Sequence, residues 1–165
     1  RVTAAYGDLN KRDGLNHMTH KMPIIPPEDE CVRAKIPLDF FKHVKASLTP
    51  ESARWMSGEY DETCELAGWT SFLDGCEPDA LSLILFADGF PPPVFRKVGP
   101  AGWVPTVEMT VQVRAHPAPG PLRCRFASRI ITEGYAEEDG EIWDSRGNLV
   151  AISRQLEAIR LPKKQ

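Results

Sequence analysis

The run Pro78-Asp79-Ala80-Leu81-Ser82-Leu83-Ile84-Leu85-Phe86-Ala87-Asp88, followed by Gly89-Phe90-Pro91-Pro92-Pro93, decides how the rest of the chain must fold. Between Ala80 and Ala87 only Ser82 is polar, so no face of a helix here suits water. The run falls short of the roughly 20 apolar residues that cross a bilayer. It reads instead as one long apolar helix buried at the centre of a domain. Asp79 is placed to cap or charge the first turn, and Gly89 with the prolines stops the helix. Asp88 then falls at the C-terminal end, where the helix dipole disfavours a carboxylate. That position raises its proton affinity, the property a general base needs.

A helix with no polar face needs a surface that wraps it, and the flanking sequence supplies strands. Thr106 to Arg114 alternates most cleanly: Val107, Met109, Val111 and Val113 are apolar, while Thr106, Glu108, Thr110, Gln112 and Arg114 are polar. Thr110 shares the polar face with Thr106 and is a substitute for it. Upstream, Asp39 to Leu48 and Cys64 to Phe72 read as strands separated by a turn at Thr49 to Ser52. Gly89 to Gly102 returns the chain to the sheet.

Downstream, Leu122 to Thr132 sets Leu122, Cys124, Phe126 and Ile130 against Arg123, Arg125 and Arg129, which form a solvated face or, as the sharper alternative, a phosphate-binding stripe. Ile131 to Asp144 reads as a strand interrupted by an acidic turn at Glu137-Glu138-Asp139-Gly140, and Ser145 to Asn148 as a hairpin turn. The last strand, Leu149 to Leu161, places Gln155 on the face of Ala151 and Ser153. One apolar helix among antiparallel strands is buried on all sides only inside the concave face of the sheet. That architecture is an α+β hotdog fold, a curved antiparallel sheet wrapped around one long apolar helix.

Composition narrows the function. The 165 residues are 42% hydrophobic and carry a formal charge of −3, which suits a folded domain and gives no basis for nucleic-acid or anionic-membrane binding. Cys31, Cys64, Cys76 and Cys124 form no CxxC pair and have no histidine at metal-ligand spacing, so they read as reduced thiols in an intracellular protein. His17 and His20, three apart in a polar stretch, read as a solvated loop. No metal site and no cofactor is indicated. Arg1 to Leu9 reads as a strand, and Pro23 to Glu30 as an extended linker. The C-terminal Leu161-Pro162-Lys163-Lys164-Gln165 is not a Ser-Lys-Leu address, and cytoplasm, mitochondrion and peroxisome are not distinguished.

Several spaced motifs resemble a known family. They are Gly68-Trp69-Thr70-Ser71-Phe72 with Asp74-Gly75, the helix from Pro78 to Asp88 with Phe90-Pro91-Pro92, Trp103-Val104-Pro105-Thr106-Val107-Glu108-Met109-Thr110, Asp144 to Ala151, and Gln155. Together they resemble the C-terminal hotdog of the thioesterase-like superfamily, the double-hotdog relatives of type II acyl-CoA thioesterases, with a pattern closest to fungal members. The resemblance implies that residues 1–22 end a preceding hotdog unit that is mostly missing, that 23–38 form a linker, and that 39–165 form the C-terminal hotdog. It implies as partner a missing N-terminal half or another chain, in a homo- or hetero-oligomer.

The resemblance also implies a site: Asp88 as base, with Thr106 and Gln155 holding one water, no covalent intermediate and no cofactor. Chemically, a hydroxyl and an amide can bind water, and the amide can donate to an oxyanion. Trp69, Phe90, Trp103 and Thr110 are the candidate acyl-binding residues. Where better-known members carry Asp-His, this chain has Glu108-Met109. Hydrolysis of an acyl thioester is therefore set against an alternative, an inactive hotdog subunit that binds acyl groups or serves as a scaffold. A hydratase is disfavoured because no histidine lies in the helix.

Overall fold

The computed structural model describes residues 1–100 and 102–160. Strands β1 (Val32–Arg33), β2 (Val44–Leu48), β3 (Glu65–Phe72), β4 (Thr106–Val113), β5 (Leu122–Ala127), β6 (Ile131–Thr132), β7 (Tyr135–Trp143) and β8 (Leu149–Ala158) form one sheet, with helices α1 (Ser82–Phe86) and α2 (Phe95–Val98) between β3 and β4. The spatial order is β1-β2-β3-β5-β7-β8-β4, with β6 paired to β7, and every pairing is antiparallel. The chain thus leaves β3, passes through both helices, and lays β4 down as the far edge beside β8. This is the curved antiparallel sheet of an α+β hotdog.

The inner face of the sheet carries Leu48, Leu66, Leu122, Cys124, Phe126, Ile142, Val150 and Ala151, all buried, and Leu83, Phe86 and Ala87 of the helical segment pack onto it. Phe86 meets Phe72 with ring centroids 4.8 Å apart.

The helix is much shorter than its apolar run suggests. Asp79 Oδ1 accepts from Ser82 N at 2.7 Å and Asp79 N donates to Ser82 Oγ at 2.7 Å, so Asp79 caps the segment where the sequence places it, while regular helix runs only from Ser82 to Phe86. At the other end Asp88 N donates to Leu85 O and Gly89 N to Phe86 O, i to i−3 bonds that close the last turn. Nor is the run buried all round. Leu81 is 74% exposed and Ile84 51%, with Leu85 also exposed, because one chain provides only one wall for a helix that is apolar on every side.

Other expectations are corrected by hydrogen bonding. Arg1 to Asp8 forms no strand, because none of these residues pairs with a neighbour in the sheet, and only a 3-10 turn at Leu9–Lys11 follows. Asp39–Lys42 is also a 3-10 turn, so β2 begins only at Val44. The linker holds edge strand β1 and packs on the outer face of the sheet. There Pro26 O accepts from Trp69 Nε1 at 2.9 Å, and Glu28 meets Lys45 at 2.8 Å.

Glu137 to Gly140 is no turn but the middle of β7. The reversal comes earlier, at Glu133 and Gly134, whose φ angles of 49° and 77° are the left-handed values a tight hairpin needs. The Ser145 to Asn148 hairpin forms as expected, with the Asp144 carboxylate accepting from the backbone N–H groups of Arg146 and Asn148. Leu161, the expected end of the last strand, lies outside the described residues. Among the described residues no helix is long and apolar enough to cross a membrane.

Gly68 sits where β2 and β3 approach so closely that a Cβ would collide with the Ser47 carbonyl oxygen and stand 2.9 Å from Leu48 Cα. Backbone cannot swing aside as a flexible side chain can. Gly68→Ala is therefore expected to cost about 1–3 kcal/mol, seen as a lower urea midpoint. An unchanged midpoint would show that β2 yields at no cost.

Candidate active site

The inner face of the β7–β8 hairpin changes character along its length. Near the turn Ile142 pairs with Ala151; next Gly140 pairs with Ser153; then Glu138 pairs with Gln155 and Ala136 with Glu157. All eight are buried, so a strand pair that starts as ordinary core ends in two acids and an amide enclosed by protein. Gly140 leaves the space in which the Phe126 ring lies, since a Cβ there would stand 2.6 Å from Phe126 Cε1. Phe90 stacks on Phe126 at 5.0 Å between centroids, which pins the segment just after Asp88.

Thr106 reaches this cluster through an irregularity. It pairs with Glu157, whereas Glu108 pairs with Leu156 and Met109 with Gln155, so Val107 is an extra residue that bulges from β4. The bulge turns Thr106 to the inner face, with Met109, and separates it from the polar alternation that begins at Glu108. Thr106 Oγ1 donates to Gln155 Oε1 at 3.0 Å. Gln155 Nε2 donates to Glu138 Oε1 at 2.7 Å and lies 3.4 Å from Glu157 Oε1. Both amide hydrogens thus face carboxyls, and none is left for an oxyanion. Glu157, only 2% exposed, keeps its Oε2 buried without a partner.

Asp88 stands beside the cluster. Its carboxyl has no hydrogen-bond or ion-pair partner among the described residues; the residue is exposed, so the protein packed around the carboxyl raises its pKa against the screening of the solvent that reaches it. Glu138 is pushed well above the ordinary carboxylate range by burial first and then by Glu157, with Asp88 and Asp139 adding to the effect and the Gln155 hydrogen bond opposing it. Burial, then the charge of Asp88, pushes Glu157 up to about 7. No Lys, Arg or His forms a salt bridge with Asp88, Glu138 or Glu157 among the described residues, nor do any of those residues make a group of acids, histidines and cysteines able to hold a metal.

The other sequence candidates lie elsewhere. Thr110 is exposed on the opposite face of β4, hydrogen-bonded to Glu108 at 2.9 Å, because the bulge reverses its relation to Thr106. Trp69 is on the outer face, beneath Pro26 and with the Arg123 guanidinium 4.7 Å from its ring centroid. Phe90 belongs to the core. Trp103 is exposed at the same end of the sheet, its backbone bridged to Arg160. Arg125 is bound to Glu141 at 2.7 Å and Arg129 to Asp139 at 3.0 Å, so the arginine face is held by the protein's own acids. His20, in the expected loop, also meets Glu141, at 2.7 Å. Glu138 and Glu157 were absent from the sequence candidates. Strand parity offered a signal for the second, since Glu157 follows Ala151, Ser153 and Gln155 at alternate positions.

An acid cluster, a hydroxyl and an amide at one end of a hotdog sheet make a site for handling water and protons. Residues 20–159 match the family model of the acyl-CoA thioesterase C-terminal domain, and the chain belongs to that family. An uncharacterised protein of Mycobacterium tuberculosis is 39% identical over 82 residues, which is 50% of this chain and 28% of that one. A candidate thioesterase II from Thermobifida fusca has 34% identity and a TM-score of 0.78, over 89% of this chain and 57% of its own. An acyl-CoA thioesterase II from Mycobacterium marinum shares the fold, with a TM-score of 0.62 at 17% identity, over 92% of this chain and 60% of its own. The chain thus matches less than two thirds of the length of these relatives.

The raised acids carry a consequence for stability. A carboxyl that binds its proton more tightly when folded makes folding take up protons, so stability falls as pH rises. For Glu157, ordinarily at 4.5 and here at about 7, the loss runs between those two values and reaches at most about 3 kcal/mol. Thermal unfolding of Glu157→Gln across that window is expected to show a shallower decline than the wild type. Parallel declines would contradict the assignment.

Proposed function

We propose that this chain supplies the hydrolytic site of an acyl-CoA thioesterase, acting on acyl-CoA or a related acyl thioester through a water held between Asp88 and Thr106. The observation that carries this reading is the hydrogen bond from Thr106 to Gln155. It commits the hydroxyl proton to the amide and leaves the oxygen's lone pairs to accept from water. Asp88, without a partner of its own among the described residues, is the natural second acceptor. A water with both hydrogens so engaged presents its own lone pair to a carbonyl carbon.

In the reaction the water oxygen bonds to the thioester carbon while Asp88 takes a water proton. The tetrahedral intermediate collapses with rupture of the C–S bond, and the proton passes from Asp88 to the departing sulfur. Acid and thiol are the products, with no covalent enzyme intermediate. Gln155 aligns Thr106, and donation to the oxyanion falls to other groups.

The finer reading is that of a fungal-type double-hotdog protein in which another hotdog unit, from the same polypeptide or a partner chain, covers Leu81, Ile84 and Leu85. The exposed apolar face supports it. One feature favours the alternative, an acyl-binding or scaffold subunit without turnover: Glu108 is bonded to Thr110 and points away from the cluster, so the Glu108-Met109 pair adds no acid to the site.

Free thiol released from acyl-CoA is the measurement that decides between the two. The active reading expects Asp88→Asn to lower kcat by about 100-fold or more, with the fold preserved by circular dichroism. Full turnover in that variant would remove Asp88 from the chemistry, and absence of turnover in the wild-type assembly would favour the scaffold.

A further inference from the structure

The acids around the proposed water site limit what an acyl group can carry into it. Thr106 pairs with Glu157 across the inner face, Gln155 joins Thr106 to Glu138, and Asp88 stands beside them. Glu138 feels the charges of Glu157, Asp88 and Asp139, and Glu157 feels that of Asp88, so every charge acting inside the cluster is negative. Basic residues of the neighbouring strands are engaged elsewhere. Arg129 and Arg154 are bound to Asp139 at 3.0 Å and 2.6 Å, and Arg125 to Glu141 at 2.7 Å. Arg160, at the same end of the sheet, is exposed and forms no salt bridge with these acids among the described residues.

The acids differ in how they hold their protons. Glu138, raised most strongly, keeps its proton longest and still accepts the Gln155 N–H through its carbonyl oxygen. Glu157 loses its proton at about 7 and has one buried oxygen without a donor, so nothing around it is arranged to receive a further anion. Asp88, reached by solvent, serves as base in its charged form. The cluster is therefore anionic when it works.

The chemistry fixes how near a substrate charge must come. A water held by Asp88 lies about 3 Å from the carboxylate, and a thioester carbon placed for attack lies about 3–3.5 Å from that water. A carboxylate two C–C bonds farther on, at about 1.5 Å per bond, stays within roughly 9 Å of Asp88 whichever way the acyl chain turns. In a partly enclosed site like charges at that range oppose each other far more than they do in water. An uncharged chain meets no such opposition.

We propose that this site selects acyl thioesters whose chain is uncharged near the reacting carbon, Glu157 and Asp88 together turning away chains that carry a carboxylate within a few bonds of it. Glu157 is thereby a specificity-determining residue. The inference names the substrate class of the thioesterase reading and rests on that reading.

The test is thiol release by the active assembly from CoA thioesters of linear dicarboxylic acids with three, five and ten carbons, each compared with its ω-methyl ester, which removes the charge and keeps the chain. Ratios of kcat/KM are corrected by the hydroxide-catalysed rates of the same thioesters in solution. They are expected to favour the ester by about 10-fold or more at three carbons. At ten carbons they should fall toward unity, because the carboxylate can then retreat beyond the roughly 8 Å over which salt screens a charge. Equal corrected rates on acid and ester at three carbons, or a preference for the acid, would overturn the proposal. Glu157→Gln is expected to lower the three-carbon ratio by about threefold. Because the ratio compares two substrates on one enzyme, a general loss of turnover or of folded protein cancels, and an unchanged ratio would remove Glu157 from specificity.

The two levels of the reading fail separately. Full turnover of the esters by Asp88→Asn would overturn the hydrolytic site itself, whereas equal rates on acid and ester in an active wild type would overturn the selection alone. If the assembly has no turnover, calorimetric titration with thioether analogues of the three-carbon pair reads the same preference as a ratio of binding constants, and equal affinities would overturn the proposal there.

Discussion

A carboxyl inside a protein must find donors or keep its proton, and in this chain that constraint acts on two acids at once, Glu138 and Glu157. Glu138 and Glu157 share one end of the inner face with Gln155, whose amide faces both, and Asp88 stands exposed beside them. Gln155 gives its N–H groups to two of the acids and takes the hydroxyl of Thr106 on its other side. Remove the amide and two buried carboxyls lose their donor while the threonine loses its orientation. The β7–β8 register, the bulge at Val107 and the Phe126–Phe90 stack all serve to bring these groups to one place.

Much of the sheet was legible because period-two alternation survives wherever one face meets core and the other meets water. β3, β4, β5 and the β7–β8 hairpin follow that pattern. The middle of β7 does not: Glu137-Glu138-Asp139-Gly140 has the composition of a turn, and its inward residues are an acid and a glycine where an apolar side chain would be expected. The departure from pattern coincides with the buried cluster in which Gln155 donates to Glu138.

The helix and the bulge were opaque for other reasons. An apolar run states that burial is wanted but not which neighbour supplies it, and Leu81, Ile84 and Leu85 of this run stay exposed among the described residues. Asp79 caps where the sequence places it, yet regular helix spans only Ser82–Phe86 because i to i−3 bonds close the last turn. The bulge leaves no mark in the sequence, and by shifting one residue it exchanged the faces of Thr106 and Thr110. The proposed trio of Asp88, Thr106 and Gln155 rests on motif resemblance, whereas Glu157 follows from strand parity and Glu138 only from the β7–β8 register.

Among the described residues strand β4 pairs with β8 on one side and with no strand on the other. Alternate N–H and C=O groups along Thr106–Val113 therefore lack a partner in the sheet, and the outermost strand is also the one that carries the threonine of the cluster. Any polypeptide that added itself to this edge would lie within one strand's width, about 5 Å, of the Thr106–Gln155 bond. A strand added along that border would therefore bear directly on the bulge that turns Thr106 toward Gln155.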